Sequence, residues 1–268
     1  MKLTMLGTGN AAVTECYNTC FVIEDQEQYF LVDGGGGSQL LHQLKHAGFS
    51  WMDMKEIFVT HKHIDHLLGI VWMIRMFCQS MSRGTYDGEA VIYGHEEVIT
   101  LLHTMAKQLL SEKETRFIGE RLHLVIVQDG EERRIQGKKV TFFDIGSTKA
   151  KQFGFCMEWG NGKKLTCCGD EPYNPCEEKY AKNSDWLLHE AFCLYEQADR
   201  FKPYEKHHST VKDACELAEK LNISNLVLYH TEDKNIKNRK ELYKKEGRPF
   251  FSGKLYVPED LEVIDLGE

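Results

Sequence analysis

Seven consecutive residues, Thr60-His61-Lys62-His63-Ile64-Asp65-His66, carry the densest chemistry in the chain. Three imidazoles and one carboxylate fall within six positions, and these are donors that zinc and similar divalent ions take. Alternate residues of an extended or looped segment, here His61 and His63, can converge on one ion. Asp65 and His66 stand where a helix should begin and can face a second ion. That division suits a binuclear centre, in which two ions hold a bridging water and clamp a phosphate or carbonyl. The competing reading is a solvated loop with chance histidines, and four ligand-type residues at this spacing count against it.

The elements that must position this cluster follow from periodicity. A short apolar strand, Glu56–Thr60, runs directly into it, and a helix over Asp65–Gln79 follows. Upstream, strands are expected at Lys2–Leu6, Thr19–Ile23 and Tyr29–Asp33, with Gly34 to Gly37 ending the hairpin. An amphipathic helix begins at Ser38, with Leu40, Leu41, Leu44 and Ala47 on one face. The segment Met73–Gly88 reads as a connection. Further strands fall at Ala90–Tyr93, His123–Val127, Val140–Asp144, Phe153–Glu158 and Lys164–Cys168, with a helix after His95. The last third alternates strand Trp186–His189, helix Thr210–Leu221, strand Asn225–Tyr229 and a Lys-rich helix over Asn235–Glu246. The order is mixed α/β (α+β), not the strict alternation of a doubly wound sheet.

The histidine cluster resembles the HxHxDH signature of the metallo-β-lactamase superfamily, and the likeness runs in order along nearly the whole chain. Leu6-Gly-Thr-Gly9 and Leu31-Val-Asp33-Gly-Gly are similar to its opening strands and turns. Cys168-Gly169-Asp170 is similar to its Gly-Asp segment, and Leu228-Tyr-His230 to its late strand. The resemblance implies a four-layer αβ/βα sandwich, formed here as one hydrolase domain over residues 1–268. It implies His61, His63, Asp65, His66, Asp170 and His230 as metal ligands, with Asp170 bridging. Two divalent ions follow, zinc by preference and manganese as the alternative. Asp185-Trp-Leu-Leu-His189-Glu190-Ala-Phe and His207-His208-Ser209-Thr210 further resemble motifs of the ribonuclease Z (tRNase Z) branch. In that branch the equivalents of Glu190 and His208 form a proton-donating pair, and Asp65 also polarises the water. A carboxylate beside an imidazole is expected to raise its pKa into the neutral range.

Two departures qualify the resemblance. The family pattern expects another His shortly before the Phe153-Gly154-Phe155 triplet, yet no His stands between His123 and His189. Gly146, directly after a strand end, is the expected vacant position, which weakens the first metal site through natural divergence or an engineered deletion. Second, only 13 residues, 156 to 168, separate Phe155 from Gly169. That length holds a strand, a Gly160-Asn161-Gly162 turn and a strand, and no tRNA-gripping arm.

Composition sets outer bounds. The 268 residues include 33 Lys and Arg against 41 Asp and Glu, a net charge of −8, which argues against coating nucleic acid by charge alone. Residues 200 to 248 carry 12 basic against 8 acidic groups, a local excess that could attract a phosphodiester. Lys149, Lys151 and Ser209 are the substrate-contact candidates. No apolar run nears the ~20 residues of a membrane span, and no signal peptide is read. Nine scattered Cys point to reduced thiols and a cytoplasmic setting, with Cys167 and Cys168 as packing residues. The expected function is metal-dependent phosphodiester hydrolysis, ribonuclease Z-like, through a metal-bound hydroxide. The substrate is RNA or a small nucleotide, and a homodimer is admitted. The alternatives are a cyclic nucleotide-type phosphodiesterase inactive on tRNA, a lactonase-like hydrolase, and a catalytically reduced metal- or nucleotide-binding protein.

Overall fold

Strands such as Leu3 to Gly7 and Ile57 to Val59 are buried at successive positions, so both faces of their sheets must be covered. The computed structural model describes residues 1–160 and 162–267 and divides into two compact units.

The first unit comprises Met1–Gly7, Thr19–Gln128 and Leu261–Gly267. Its strands are β1 (Lys2–Gly7), β2 (Cys20–Asp25), β3 (Gln28–Val32), β4 (Glu56–Val59), β5 (Ala90–Gly94), β6 (Leu122–Ile126) and β14 (Val263–Asp265). They order as β14-β1-β2-β3-β4-β5-β6, antiparallel as far as β3 and parallel from β3 to β6. Parallel neighbours need crossover connections. Here these carry α1 (Gln39–His46), α2 (Ile64–Arg83), then α3 (Glu96–Leu109) with α4 (Glu112–Thr115).

The second unit comprises Thr8–Asn18 and Asp129–Asp260. Its strands are β7 (Glu132–Ile135), β8 (Lys138–Asp144), β9 (Phe153–Trp159), β10 (Lys163–Cys167), β11 (Trp186–Glu190), β12 (Asn225–Tyr229) and β13 (Lys254–Tyr256). Its helices are α5 (Glu178–Ala181), α6 (Ala198–Phe201), α7 (Val211–Lys220) and α8 (Arg239–Gly247). The sheet runs from β7 to β13 in sequence order, antiparallel to β10 and parallel beyond. Each unit therefore changes from antiparallel to parallel pairing at its fourth strand. Among the described residues, no helix is long and apolar enough to cross a membrane.

Three differences from expectation have physical causes. The segment Met73–Gly88 is mostly the second half of α2. Met73, Ile74, Phe77, Cys78 and Met81 recur at helical spacing and are buried. Strands β7, β13 and β14 were not expected, because they are short pieces near sheet edges whose polar residues form no apolar run. Asn161 of the expected turn lies outside the described residues. The flanking strands β9 and β10 pair from Trp159 with Lys163.

One acid is buried within the second unit. Glu177 Oε1 accepts a hydrogen bond from Asn174 N at 2.7 Å. Burial pushes its carboxyl up to about 8, against the opposing effect of hydrogen bonds from Asn174 and Cys168. The folded protein thus keeps a proton that the unfolded chain releases above about pH 4.5. The associated stability is complete below that pH and is lost as pH rises through about 8. Glu177→Gln keeps an acceptor oxygen and removes the titration. Calorimetric melting should show wild type losing stability relative to the variant between about pH 5 and 8, whereas a pH-independent difference would contradict this assignment.

Candidate functional site

In the first unit the ligand-type residues occupy the end of β4 and the first turn of α2. His61, Asp65 and His66 are buried and His63 is half-buried. His61 Nε2 lies 2.8 Å from His63 Nδ1. The His61 and His66 ring centroids are 4.2 Å apart, and His66 Nε2 lies 3.4 Å from Asp65 Oδ2. Asp65 also sits at a helix N-terminus, where a carboxylate is electrostatically favoured.

The organiser of this cluster is Asp33, which follows β3. Its Oδ1 accepts from Thr60 N at 2.8 Å, and its Oδ2 accepts from Thr60 Oγ1 and His66 Nδ1, each at 2.8 Å. Because the Thr60 hydroxyl donates to Asp33, its oxygen accepts from His61 Nδ1 at 2.9 Å. Both imidazoles therefore carry Nδ1–H, so Nε2 is the ring nitrogen of each that can ligate a cation. The backbone supports the same arrangement. Gly34 N donates to His66 O at 2.8 Å and Gly69 N to Gly35 O at 3.0 Å. A Cβ at Gly69 would stand 1.8 Å from Gly34 O, so only glycine permits α2 to dock this closely.

In the second unit, parallel pairing brings the C-terminal ends of β10, β11 and β12 to one edge. Asp170 follows β10, Glu190 ends β11 and His230 follows β12. His230 Nε2 lies 3.3 Å from Asp170 Oδ2, and the His208 and His230 ring centroids are 5.0 Å apart. These are the sheet positions at which open α/β folds bind ligands. His208 precedes α7, whose N-terminus is fixed by a capping box between Thr210 and Asp213. Glu190 is fully buried. Its Oε1 accepts from Ser209 N, and its Oε2 stands 3.7 Å from His208 Nδ1. Phe192 stacks on the His208 ring at 5.1 Å and 13°. Glu190 and His208, 18 positions apart in sequence, are thus brought together.

The electrostatics differ from expectation. Burial, aided by the neighbouring His230, pushes His208 down to about 3, and burial pushes Glu190 well above the usual carboxylate range. The anticipated upward shift of His208 is absent because desolvation outweighs the adjacent carboxyl.

The substrate-contact candidates are engaged locally. Lys149 Nζ donates to Lys206 O, Lys151 Nζ lies 5.4 Å over the Phe153 ring, and Ser209 is buried with its N–H on Glu190. At least two of the twelve basic groups in residues 200 to 248 are likewise engaged. Lys234 pairs with Asp233 at 2.9 Å, and Arg239 is buried, donating to Thr8, Thr231 and Pro258. Cys167 and Cys168 are buried packing residues, and all nine cysteines are free.

At Gly146, the expected vacant position, the backbone would strain any side chain. Its φ is +70°, and a Cβ there would lie 2.8 Å from Asn174 Nδ2. The sequence motifs did not single out Asp33, Gln152 or Tyr229, whose buried polar groups bond to Thr60 and His66, to Asp170 and to Gly169 O. A buried polar side chain in or beside an apolar strand was their signal.

Two outcomes follow. Asp33→Ala should weaken divalent metal binding about 10- to 100-fold in equilibrium dialysis, and wild-type binding would remove Asp33 from the site. Gly146→His should lower stability by about 1–3 kcal/mol without raising bound zinc, and a gain of zinc would restore Gly146 as the ligand position.

Comparison with known proteins identifies the fold and the family. Residues 1–251 match the family described as Anti-Pycsar protein Apyc1. Ribonuclease Z of Archaeoglobus fulgidus is 25% identical, across 99% of this chain and 97% of that protein. The metallo-β-lactamase fold protein YhfI from Bacillus subtilis superposes with a TM-score of 0.79 at 17% identity, over 98% of both chains. The short form of human tRNase Z superposes with a TM-score of 0.75 at 20% identity, over 100% of both. The fold is the metallo-β-lactamase fold that the motifs implied. Since the family match spans nearly the whole sequence, the chain belongs to the Anti-Pycsar protein Apyc1 family.

Proposed function

We propose that this chain is a metal-dependent hydrolase of small phosphodiesters, acting as a single hydrolase domain over residues 1–268. The observation that carries the reading is the Glu190–His208 pair beside Asp170 and His230 at one sheet edge. In the first unit His61, His63, Asp65 and His66 would hold divalent metal, zinc by preference, and in the second unit Asp170 and His230 would do so. The donor set fits, since buried imidazoles with oriented Nε2 and carboxylates are what such ions require. Bound ions would neutralise phosphoryl charge and make water nucleophilic near neutral pH.

The chain's own residues supply orientation and the proton. Ser209 N holds Glu190 Oε1, and Glu190 Oε2 faces His208 Nδ1. Phe192 fixes the plane of the ring. His208 Nε2 is then the nitrogen left to deliver a proton to the departing oxygen, with Glu190 replenishing the pair. Asp65, at the start of α2, would orient the attacking water as well as bind metal.

The direct β9–β10 hairpin favours a small substrate of the cyclic-nucleotide type, since it leaves no room there for an arm that grips a folded RNA. The His-Glu and His-Ser-Thr motifs support ribonuclease Z-like cleavage as the second reading. Assays with added zinc or manganese separate the two. A cyclic nucleotide and bis(p-nitrophenyl) phosphate should be hydrolysed, while a precursor tRNA and a lactone should not. Cleavage of the tRNA would favour the second reading, and inactivity on all four would favour a binding protein. His208→Ala should lower kcat on the cyclic nucleotide by about a hundredfold or more with metal content retained. The loss should be smaller on bis(p-nitrophenyl) phosphate, whose leaving group needs little protonation. Equal losses on both substrates would remove His208 as proton donor.

A further inference from the structure

Asp170 is held from two sides by residues that the metal and proton-transfer roles do not use. Gln152, only 1% exposed, donates from Nε2 to Asp170 Oδ1. Its backbone oxygen accepts from Ile145 N at 3.1 Å, which closes the base of the 146–151 loop. The amide also packs tightly on the chain just before Asp170. Gly169 has φ +76°, and a Cβ there would lie 3.0 Å from Gln152 Cδ and Oε1. From the other side, the buried Tyr229 hydroxyl donates to Gly169 O, and Cys167 Sγ lies 3.5 Å from the Tyr229 hydroxyl oxygen. Tyr229 directly precedes His230, as Gly169 directly precedes Asp170. One hydroxyl therefore ties together the two strand ends that carry these side chains.

This arrangement accounts for two oddities of the sequence. The first is a tyrosine ending an otherwise aliphatic run, Leu226-Val-Leu-Tyr229. A buried hydroxyl is costly unless bonded, so its retention there needs a partner, and Gly169 O is that partner. The second is the absence of a histidine before the Phe153-Gly154-Phe155 triplet. The buried polar group in that stretch is Gln152, and it is directed at Asp170.

We propose that Gln152 and Tyr229 are positioning residues that set the orientation of Asp170 and its separation from His230. Gln152 holds the carboxylate from the segment where the family pattern expects a further imidazole. With Oδ1 occupied by the Gln152 amide, Oδ2 is the oxygen presented beside His230 Nε2, at 3.3 Å. Tyr229 does not touch the carboxylate and acts by fixing the peptide on which it hangs. The proposal rests on the assignment of Asp170 and His230 as metal ligands.

The test uses the full chain, stripped of metal and titrated with Co2+. Bound metal is measured by equilibrium dialysis, coordination by the visible absorption of the ion, and metal-free stability by thermal melting. Gln152→Met removes the amide donors at similar volume, and Tyr229→Phe removes a single oxygen. Each should weaken Co2+ binding about 10- to 100-fold and alter the visible spectrum. A purely structural role would lower the metal-free melting temperature and leave the spectrum of the loaded protein unchanged. Wild-type affinity and spectrum in both variants would overturn the proposal. If Gln152→Met does not fold, Tyr229→Phe decides alone. Asp170→Asn is the control for the underlying assignment. Wild-type binding in that variant would refute Asp170 as a ligand, whereas weakened binding there with normal binding in the other two would refute only the positioning role.

Discussion

The Asp33 carboxylate is the constraint on which the candidate metal-ligand cluster of the first unit depends. It is a buried charge at the end of a buried strand, and such a group persists only when its oxygens are satisfied. Thr60 and His66 satisfy them with three hydrogen bonds. Those bonds set the path of the chain leaving β4, the start of α2 and the tautomers of two imidazoles. The Gly34–Gly69 approach is the steric counterpart, because it lets the helix come close enough for His66 to reach Asp33. A single acid thus fixes the histidine-rich segment as a set of oriented donors.

The second unit uses the same topological device. In both sheets the pairing turns from antiparallel to parallel at the fourth strand, β3 in one and β10 in the other. Asp33 follows the first and Asp170 the second. The next strand in each, β4 or β11, delivers the histidine cluster or Glu190. Parallel pairing makes this possible, since it places successive C-terminal strand ends side by side and lets residues from distant segments meet. No internal repeat is visible in the amino-acid sequence, so the correspondence lies in the pairing pattern alone.

Burial acts in one direction at three titratable groups, Glu190, His208 and Glu177. Around Glu190 and His208 it favours the neutral forms of both, which a carboxylate–imidazole motif read in isolation would not suggest. At Glu177 it does the same for a lone acid with no part in the site. Sequence proximity and motif identity report which groups are present, while desolvation depends on what the fold packs around them.

The local chemistry was legible before the fold. His61, His63, Asp65 and His66 lie within six residues, so strand-then-helix geometry alone gathers them. The main strands and helices were legible for the same reason, because apolar periodicity is a short-range signal. Short polar strands such as β7 escaped, since they carry no such period. Asp170, Glu190, His208 and His230 were legible only through the order of family motifs, as nothing in their spacing requires them to meet. Tertiary structure alone decided the roles of Asp33, Gln152 and Tyr229, because each acts through a partner outside its own segment. It also decided that a side chain at Gly146 would be strained, which depends on a positive φ and on Asn174, 28 residues away. The sequence determined which donors exist. The parallel pairing of strand ends, and the burial it imposes, decided which of them face one another and in what protonation state.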